Sequence, residues 1–225
     1  MKTFAILFAG GINDFCNYAR YPADLGAVLT SLGGFPGLSA ASITVLSGAG
    51  GGAFKFDNVP ITGGLASRNG LQGALATVAA NAKAEDRFFF FSSNHGGQKV
   101  PGQNSSTLYC WNGETVTPEE LAGWSQGIQG NFQAFVLGQC YSGGFVNALQ
   151  TKKRAILTAC SWSEVSWAST TMSARYDEFI YRIAEGFEGR AATLDALFAY
   201  AKKADVEKET PQYNDAGGIG GIALW

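Results

Sequence analysis

The six residues Arg87-Phe88-Phe89-Phe90-Phe91-Ser92 limit the fold of this chain more than any other stretch. Four consecutive phenylalanines have neither the alternation of a half-exposed strand nor the length of a helix, and they fit a strand covered on both faces. Such a strand belongs inside a mostly parallel sheet with helices packed on either side. The rest of the chain has the alternation that this architecture needs. Strands are expected at Phe4–Ala9, Ile43–Ser47, Ala134–Leu137 and Arg154–Cys160, with a last edge strand at Ile219–Trp225. Helices are expected at Ala23–Leu32, from Asn69 to Asn81 behind a Ser67 N-cap, and from Thr117-Pro118-Glu119-Glu120 onward. Further helices are expected at Phe145–Gln150, Asp177–Phe187 and Leu194–Lys203. Gly48-Ala49-Gly50-Gly51-Gly52, with Phe54, Lys55 and Phe56 behind it, reads as a loop, and so does the polar stretch from Gly96 to Gly113. No repeat or linker interrupts the pattern. The expectation is one α/β domain over residues 1–225, with a mostly parallel sheet of about six strands sandwiched between helices.

Composition narrows the function classes. Hydrophobic residues make up 46% and charged residues 15%, a globular balance. A formal net charge of −2 gives no basis for a nucleic-acid or anionic-membrane partner. No run approaches the roughly 18–20 apolar residues of a membrane-spanning helix. The start, Met1-Lys2-Thr3-Phe4-Ala5-Ile6-Leu7-Phe8-Ala9-Gly10, has the positive charge and apolar stretch of a secretory leader, but that stretch is at the short end for one. A buried first strand is the better reading, and a cytoplasmic location is the expectation. Four cysteines, Cys16, Cys110, Cys140 and Cys160, are too few for a disulfide scaffold, so a reducing compartment is the simpler reading. With one His and no CxxC spacing, neither a metal nor another cofactor is expected.

The expected topology gathers the chemistry in one place, because ligands of open α/β sheets bind outside the carboxyl ends of the strands. His95 follows the phenylalanine strand within Ser93-Asn94-His95-Gly96-Gly97, and Cys140 follows Ala134–Leu137 within Gly138-Gln139-Cys140-Tyr141-Ser142-Gly143-Gly144. If those strands are neighbours, both side chains project from the same edge. A thiol is mostly protonated at neutral pH and needs a base to become a nucleophile. An imidazole titrates in the right range and can later protonate a departing amine. The adjacent glycines allow the Gly96 and Cys140 N–H groups to approach an oxyanion. Taken alone, the Cys reads as a small buried hydrophobe and the His as a turn residue. Their matched settings, 45 positions apart, favour an acyl-transfer site.

The segment Phe88–Gly96 resembles the hydrophobic strand ending in His-Gly of legumains, caspases, metacaspases and the GPI-transamidase catalytic subunit. Ala134–Gly143 resembles their second block, a strand followed by Cys-x-Ser-Gly, and the His-to-Cys spacing is close to the roughly 50 residues of caspases. Asn17-Tyr18-Ala19-Arg20-Tyr21-Pro22-Ala23-Asp24 and Ala159–Ala168 are similar to legumain blocks. Asp177-Glu178-Phe179-Ile180-Tyr181 and Thr210-Pro211-Gln212 resemble bacterial caspase-like proteins, the latter standing before the final strand. The resemblance implies a single caspase-like domain and a cysteine endopeptidase acting on a peptide or protein through a thioester acyl-enzyme. It implies a His95–Cys140 dyad, the Gly96 and Cys140 N–H groups as oxyanion hole, and Asn17 orienting the His. Arg20 would lie at the base of the S1 pocket with Asp177 or Glu178 as its carboxylate partner, and Ser161 and Trp162 along the substrate channel.

Two departures bear on specificity. Ala19 is an extra residue, so Asn17 and Arg20 cannot both align without a gap. Gly138 stands where legumains carry Glu and metacaspases Asp, which favours an Asn or Asp P1 residue over a basic one. Rival readings are an inactive caspase-fold binding module, a peptide ligase in which an amine outcompetes water, and a nucleotide- or flavin-binding protein using Gly48–Gly52. The last lacks a GxGxxG leading into a helix and a P-loop Lys. The Gln98–Gly113 region is a candidate cleavage or specificity loop.

Overall fold

The phenylalanine run lies at the centre of the sheet, as its burial demands. The structure, a computed structural model, describes residues 1–225. In chain order the strands are β1 (Thr3–Ala9), β2 (Ile43–Ser47), β3 (Ala53–Phe56), β4 (Val59–Thr62), β5 (Arg87–Ser92), β6 (Gly96–Gln98), β7 (Ser106–Tyr109), β8 (Thr115–Val116), β9 (Phe132–Leu137), β10 (Arg154–Thr158) and β11 (Gln212–Asp215). The helices are α1 (Arg20–Ser31), α2 (Arg68–Asn81), α3 (Pro118–Ser125), α4 (Val146–Leu149), α5 (Glu178–Glu188) and α6 (Leu194–Ala204). The six-stranded main sheet has the order β11-β10-β9-β5-β1-β2 and is parallel except for β11.

Successive side chains of a strand point to opposite faces, so the run supplies two cores at once. Phe89 and Phe91 meet α1, α5 and α6 through Leu25, Val28, Phe179, Ile183, Phe187 and Leu197. Phe88 and Phe90 meet α2, α3 and α4 through Leu71, Leu75, Val78, Leu121 and Leu149. All four phenylalanines are at most 1% exposed, each worth about 1.5–3 kcal/mol of burial. The expected caps are present: Ser67 Oγ accepts from Gly70 N–H at 3.0 Å, and Thr117 and Glu120 form a reciprocal capping box. No helix is long and apolar enough to cross a membrane.

Three expectations are corrected. Ile219–Trp225 is not the edge strand: Ile219 and Leu224 are buried in the first core, and Trp225 packs against Phe35 with ring centroids 5.0 Å apart. Gly218, at φ +69°, begins a 3₁₀ turn at Ile219–Gly221, so these apolar residues anchor a terminus while Gln212–Asp215 forms the ladder. The stretch with Phe54 and Phe56 is a hairpin, not a loop. Asp57 and Asn58, at φ 46° and 65°, form its two-residue turn and bury both phenylalanines. The polar stretch after Gly96 is folded into a small antiparallel sheet, β6-β7-β8, because Leu108, Cys110 and Val116 reach the second core.

Candidate active site

β5 and β9 are adjacent and parallel, with Phe91 beside Val136 and Ser92 beside Leu137. Their carboxyl ends reach the same rim, and His95 and Cys140 are each the third residue beyond their strand. The two turns are tied together. Gly138 N–H donates to the Ser92 carbonyl at 2.8 Å, and Ser92 Oγ donates to Gln139 Oε1 at 2.6 Å. Gly96 lies so close that a methyl group there would overlap the Cys140 carbonyl oxygen. Asn94 fixes the His turn from behind, accepting from Gly11 N–H at 2.8 Å and donating to the Tyr109 carbonyl.

His95 Nε2 lies 2.9 Å from the Cys16 carbonyl oxygen. A carbonyl only accepts, so Nε2 carries the hydrogen and Nδ1 keeps its lone pair. Tyr18 and Tyr21 meet the ring edge-on at centroid distances of 5.0 and 5.3 Å. Burial holds the imidazole below its ordinary range, the Cys16 hydrogen bond opposes that, and the Arg20 charge adds to it. A neutral imidazole is the form that can accept a proton.

Cys140 is a half-buried free thiol whose Sγ lies 3.6 Å from Ser166 Oγ and 3.8 Å from the Ser166 carbonyl. Its turn is stitched to the chain beyond β10: Tyr141 N–H donates to the Glu164 carbonyl at 2.8 Å and Gly143 N–H to the Cys160 carbonyl at 2.9 Å. No hydrogen bond joins the imidazole to the thiol. Tyr21, packed on His95, is within electrostatic reach of Cys140. The Cys140 N–H has no acceptor within the protein. Tyr109 N–H donates to the His95 carbonyl at 3.2 Å, which makes Gly96–Leu108 the non-hydrogen-bonded pair of the β6–β7 ladder and leaves the Gly96 N–H free.

Beside this rim lies a buried polar cluster. Arg20, the first residue of α1, pairs through Nε with Asp177 Oδ1 at 2.6 Å, and its guanidinium stacks over Tyr18 and Tyr21 at 4.3 and 5.0 Å. Ser93 Oγ lies 2.5 Å from Asp24 Oδ2 and 3.1 Å from Asp177 Oδ2, while Asp177 N–H donates to Asp24 Oδ1 at 3.1 Å. One hydroxyl hydrogen cannot serve two carboxylates, so a proton retained on Asp24 completes the arrangement. Burial pushes the Asp24 carboxyl far above its usual range, and the Asp177 charge adds to this. Burial also raises Asp177, against the pull of Arg20.

The other expected site residues lie around these two groups. The Asn17 side chain fits between Gly11 and Gly48, its Oδ1 buried without a partner, so the contact to His95 comes from the Cys16 carbonyl and not from the Asn17 amide. Gly138 lies under Ile180 of α5, which occupies the space any side chain there would need. Ser161 N–H donates to Glu164 Oε2 at 3.0 Å. Trp162 is 39% exposed, and its carbonyl accepts from Gln98 of β6 at 3.0 Å. Sequence reasoning missed Asp24 and Ser166. Both lie in the blocks whose resemblance is given above, but nothing in their spacing marks one as a proton store or the other as the thiol's neighbour.

The profile of the Peptidase C13 family matches residues 66–218, a span that contains His95, Cys140, Ser166 and Asp177. No curated protein matches the chain.

Proposed function

The chain belongs to the Peptidase C13 family, the legumain family of cysteine peptidases, and on that premise we propose that it is a working endopeptidase with a Cys140–His95 dyad. The observation that carries this reading is the adjacency of β5 and β9, whose ends bring the imidazole and the thiol to one rim. His95 Nδ1 takes the Cys140 proton, and the sulfur attacks the scissile carbonyl carbon. The carbonyl electron pair moves to oxygen, which the Gly96 and Cys140 N–H groups stabilise. Collapse breaks the C–N bond, and the imidazolium protonates the departing amine. Water, deprotonated by His95, then cleaves the thioester and regenerates the thiol.

The Arg20–Asp177 pair supports a preference for Asn at P1. An amide oxygen accepts from the free Nη groups of Arg20 while its NH₂ donates to Asp177. Asp can use the first contact alone. A basic P1 residue meets the Arg20 charge, and Gly138 under Ile180 offers no second carboxylate to offset it. Fluorogenic peptides differing only in P1-Asn, P1-Asp and P1-Arg test the pocket: Asn turnover is expected to lead, and an Arg preference rejects the assignment. A Cys-directed peptide probe tests the dyad; labelling that survives in Cys140→Ala or His95→Ala rules it out.

A further inference from the structure

The segment from 161 to 177 forms a wall beside Cys140, tied to β6 through the Gln98–Trp162 hydrogen bond, and it supplies Ser166, the only residue in hydrogen-bond range of the Cys140 sulfur. It has almost no regular structure, one isolated bridge joining Ala168 to Asp177. Much of its anchoring comes from Asp205-Val206-Glu207-Lys208-Glu209-Thr210, the link between α6 and β11. Thr210 Oγ1 donates to Glu164 Oε1 at 2.9 Å, and Trp167 N–H donates to Glu209 Oε2 at 2.8 Å. Thr170 gives both its N–H and its hydroxyl to Glu207 Oε1, at 2.8 and 2.6 Å. Asp205 braces the link itself, its Oδ1 accepting from Glu207 N–H at 2.9 Å.

Two oxygens are left over. Asp205 Oδ2 and Glu209 Oε1 are buried with no donor from any other group, and the two carboxyls face one another within hydrogen-bonding reach. Two carboxylates in that position repel and leave both lone pairs unsatisfied; one proton between them removes both penalties. We propose that Asp205 and Glu209 share a proton, and that the pair is a latch positioning this wall: with the proton present Glu209 holds Trp167, and so its neighbour Ser166, against Cys140. Loss of the proton drives the carboxylates apart and frees the wall. The effect on turnover rests on the peptidase reading; the effect on the wall does not.

The surroundings favour keeping the proton. Burial pushes Glu209 up to about 10, and the charges of Asp205 and Asp177 act in the same direction. Glu178 and Glu207 face Asp205 and raise it further, while Cys160 lies within reach of Glu209. Arg182, the cation paired with Glu178, is shared between Glu178 and Glu185, each at 2.7 Å. A carboxyl held near 10 stays protonated at acidic and neutral pH. The latch is therefore intact there and is lost as pH rises through about 10.

The test is amide hydrogen exchange of the wild type, Glu209→Gln and Glu209→Ala near pH 7 and near pH 10.5, with β5 amides as internal standard and kcat/KM measured in parallel. In the wild type, protection of the Trp167 and Thr170 amides relative to β5 should fall at least about tenfold in alkali. Glutamine accepts from Trp167 and donates to Asp205 without a titrating proton, so Glu209→Gln should stay protected at both pH values. Glu209→Ala should be loose at both, with a raised KM. Wild-type protection that does not change with pH, loosening no greater than that of β5, or Glu209→Gln behaving as Glu209→Ala would each overturn the latch. A wall that loosens as described in a protein that cleaves no peptide keeps the latch and removes the peptidase reading.

Discussion

The two walls beside the His95–Cys140 rim are built from different bonds. On the His95 side, β6, β7 and β8 form backbone ladders, Gly96 packs on the Cys140 carbonyl, and Asn94 ties the turn to Gly11 and Tyr109. On the other side, the 161–177 segment and the ends of α1 and α5 are held through the carboxyls of Asp24, Glu164, Asp177, Glu207 and Glu209. Amide ladders do not titrate; carboxyls do. The His wall should therefore keep its shape across pH while the carboxyl-held wall responds to it. The contrast assigns the pH dependence of the protein to the carboxyl-held wall and to His95 itself.

The largest effect is expected on the rigid wall. Gly96→Ala puts a methyl group into the Cys140 carbonyl, which must move or distort β6, at a cost of about 1–3 kcal/mol in stability and at least about tenfold in kcat. Denaturant unfolding and steady-state kinetics measure both, and a neutral result would mean that this wall yields as readily as the other. On the titrating wall, Asp24→Ala leaves the Asp177 N–H without its partner and Ser93 with Asp177 Oδ2 alone, a loss of about 1–3 kcal/mol. Asp24→Asn keeps the shape and should recover most of it. Equal destabilisation by the two variants would show that Asp24 serves there only as a charge. A smaller effect concerns the acid limb of kcat/KM. Because His95 is held below its ordinary value, that limb should fall below pH 6.5, with activity lost as pH drops through the folded value. A limb above 6.5 would contradict the burial of the ring. The smallest effect is expected for Thr210→Val, which removes one hydrogen bond to Glu164 and should cost about 0.5–1.5 kcal/mol, with KM rising more than kcat falls.

How much of this was legible in the chain depended on the reach of each signal. The phenylalanine run, the Ser67 and Thr117 caps and the apolar faces of α2, α5 and α6 are local patterns, and the structure follows them within a few residues. The Asp57-Asn58 turn is a local signal too, masked by the loop-like glycines before it. The final strand was different. Apolar Ile219–Trp225 looked more like a strand than polar Gln212–Asp215, and only the pairing with β10 separates them. The Thr210-Pro211-Gln212 segment, expected to stand before the final strand, runs directly into it, β11 beginning at Gln212.

Residue order alone determined that a strand buried on both faces would organise a parallel sheet, and that an imidazole and a thiol would each follow a strand of it. Hydrophobic period and turn chemistry act over a few residues, and they are written in the sequence. Tertiary structure decided which strands are neighbours, that Cys16 and not Asn17 faces the His95 ring, and that Asp24 and Asp177 converge on Ser93. It also decided that Asp205 and Glu209, four positions apart on a polar link, turn their carboxyls toward each other out of water. Burial and electrostatic coupling arise only when distant segments pack, so the same acidic residue reads as surface charge in the chain and as a proton store in the fold.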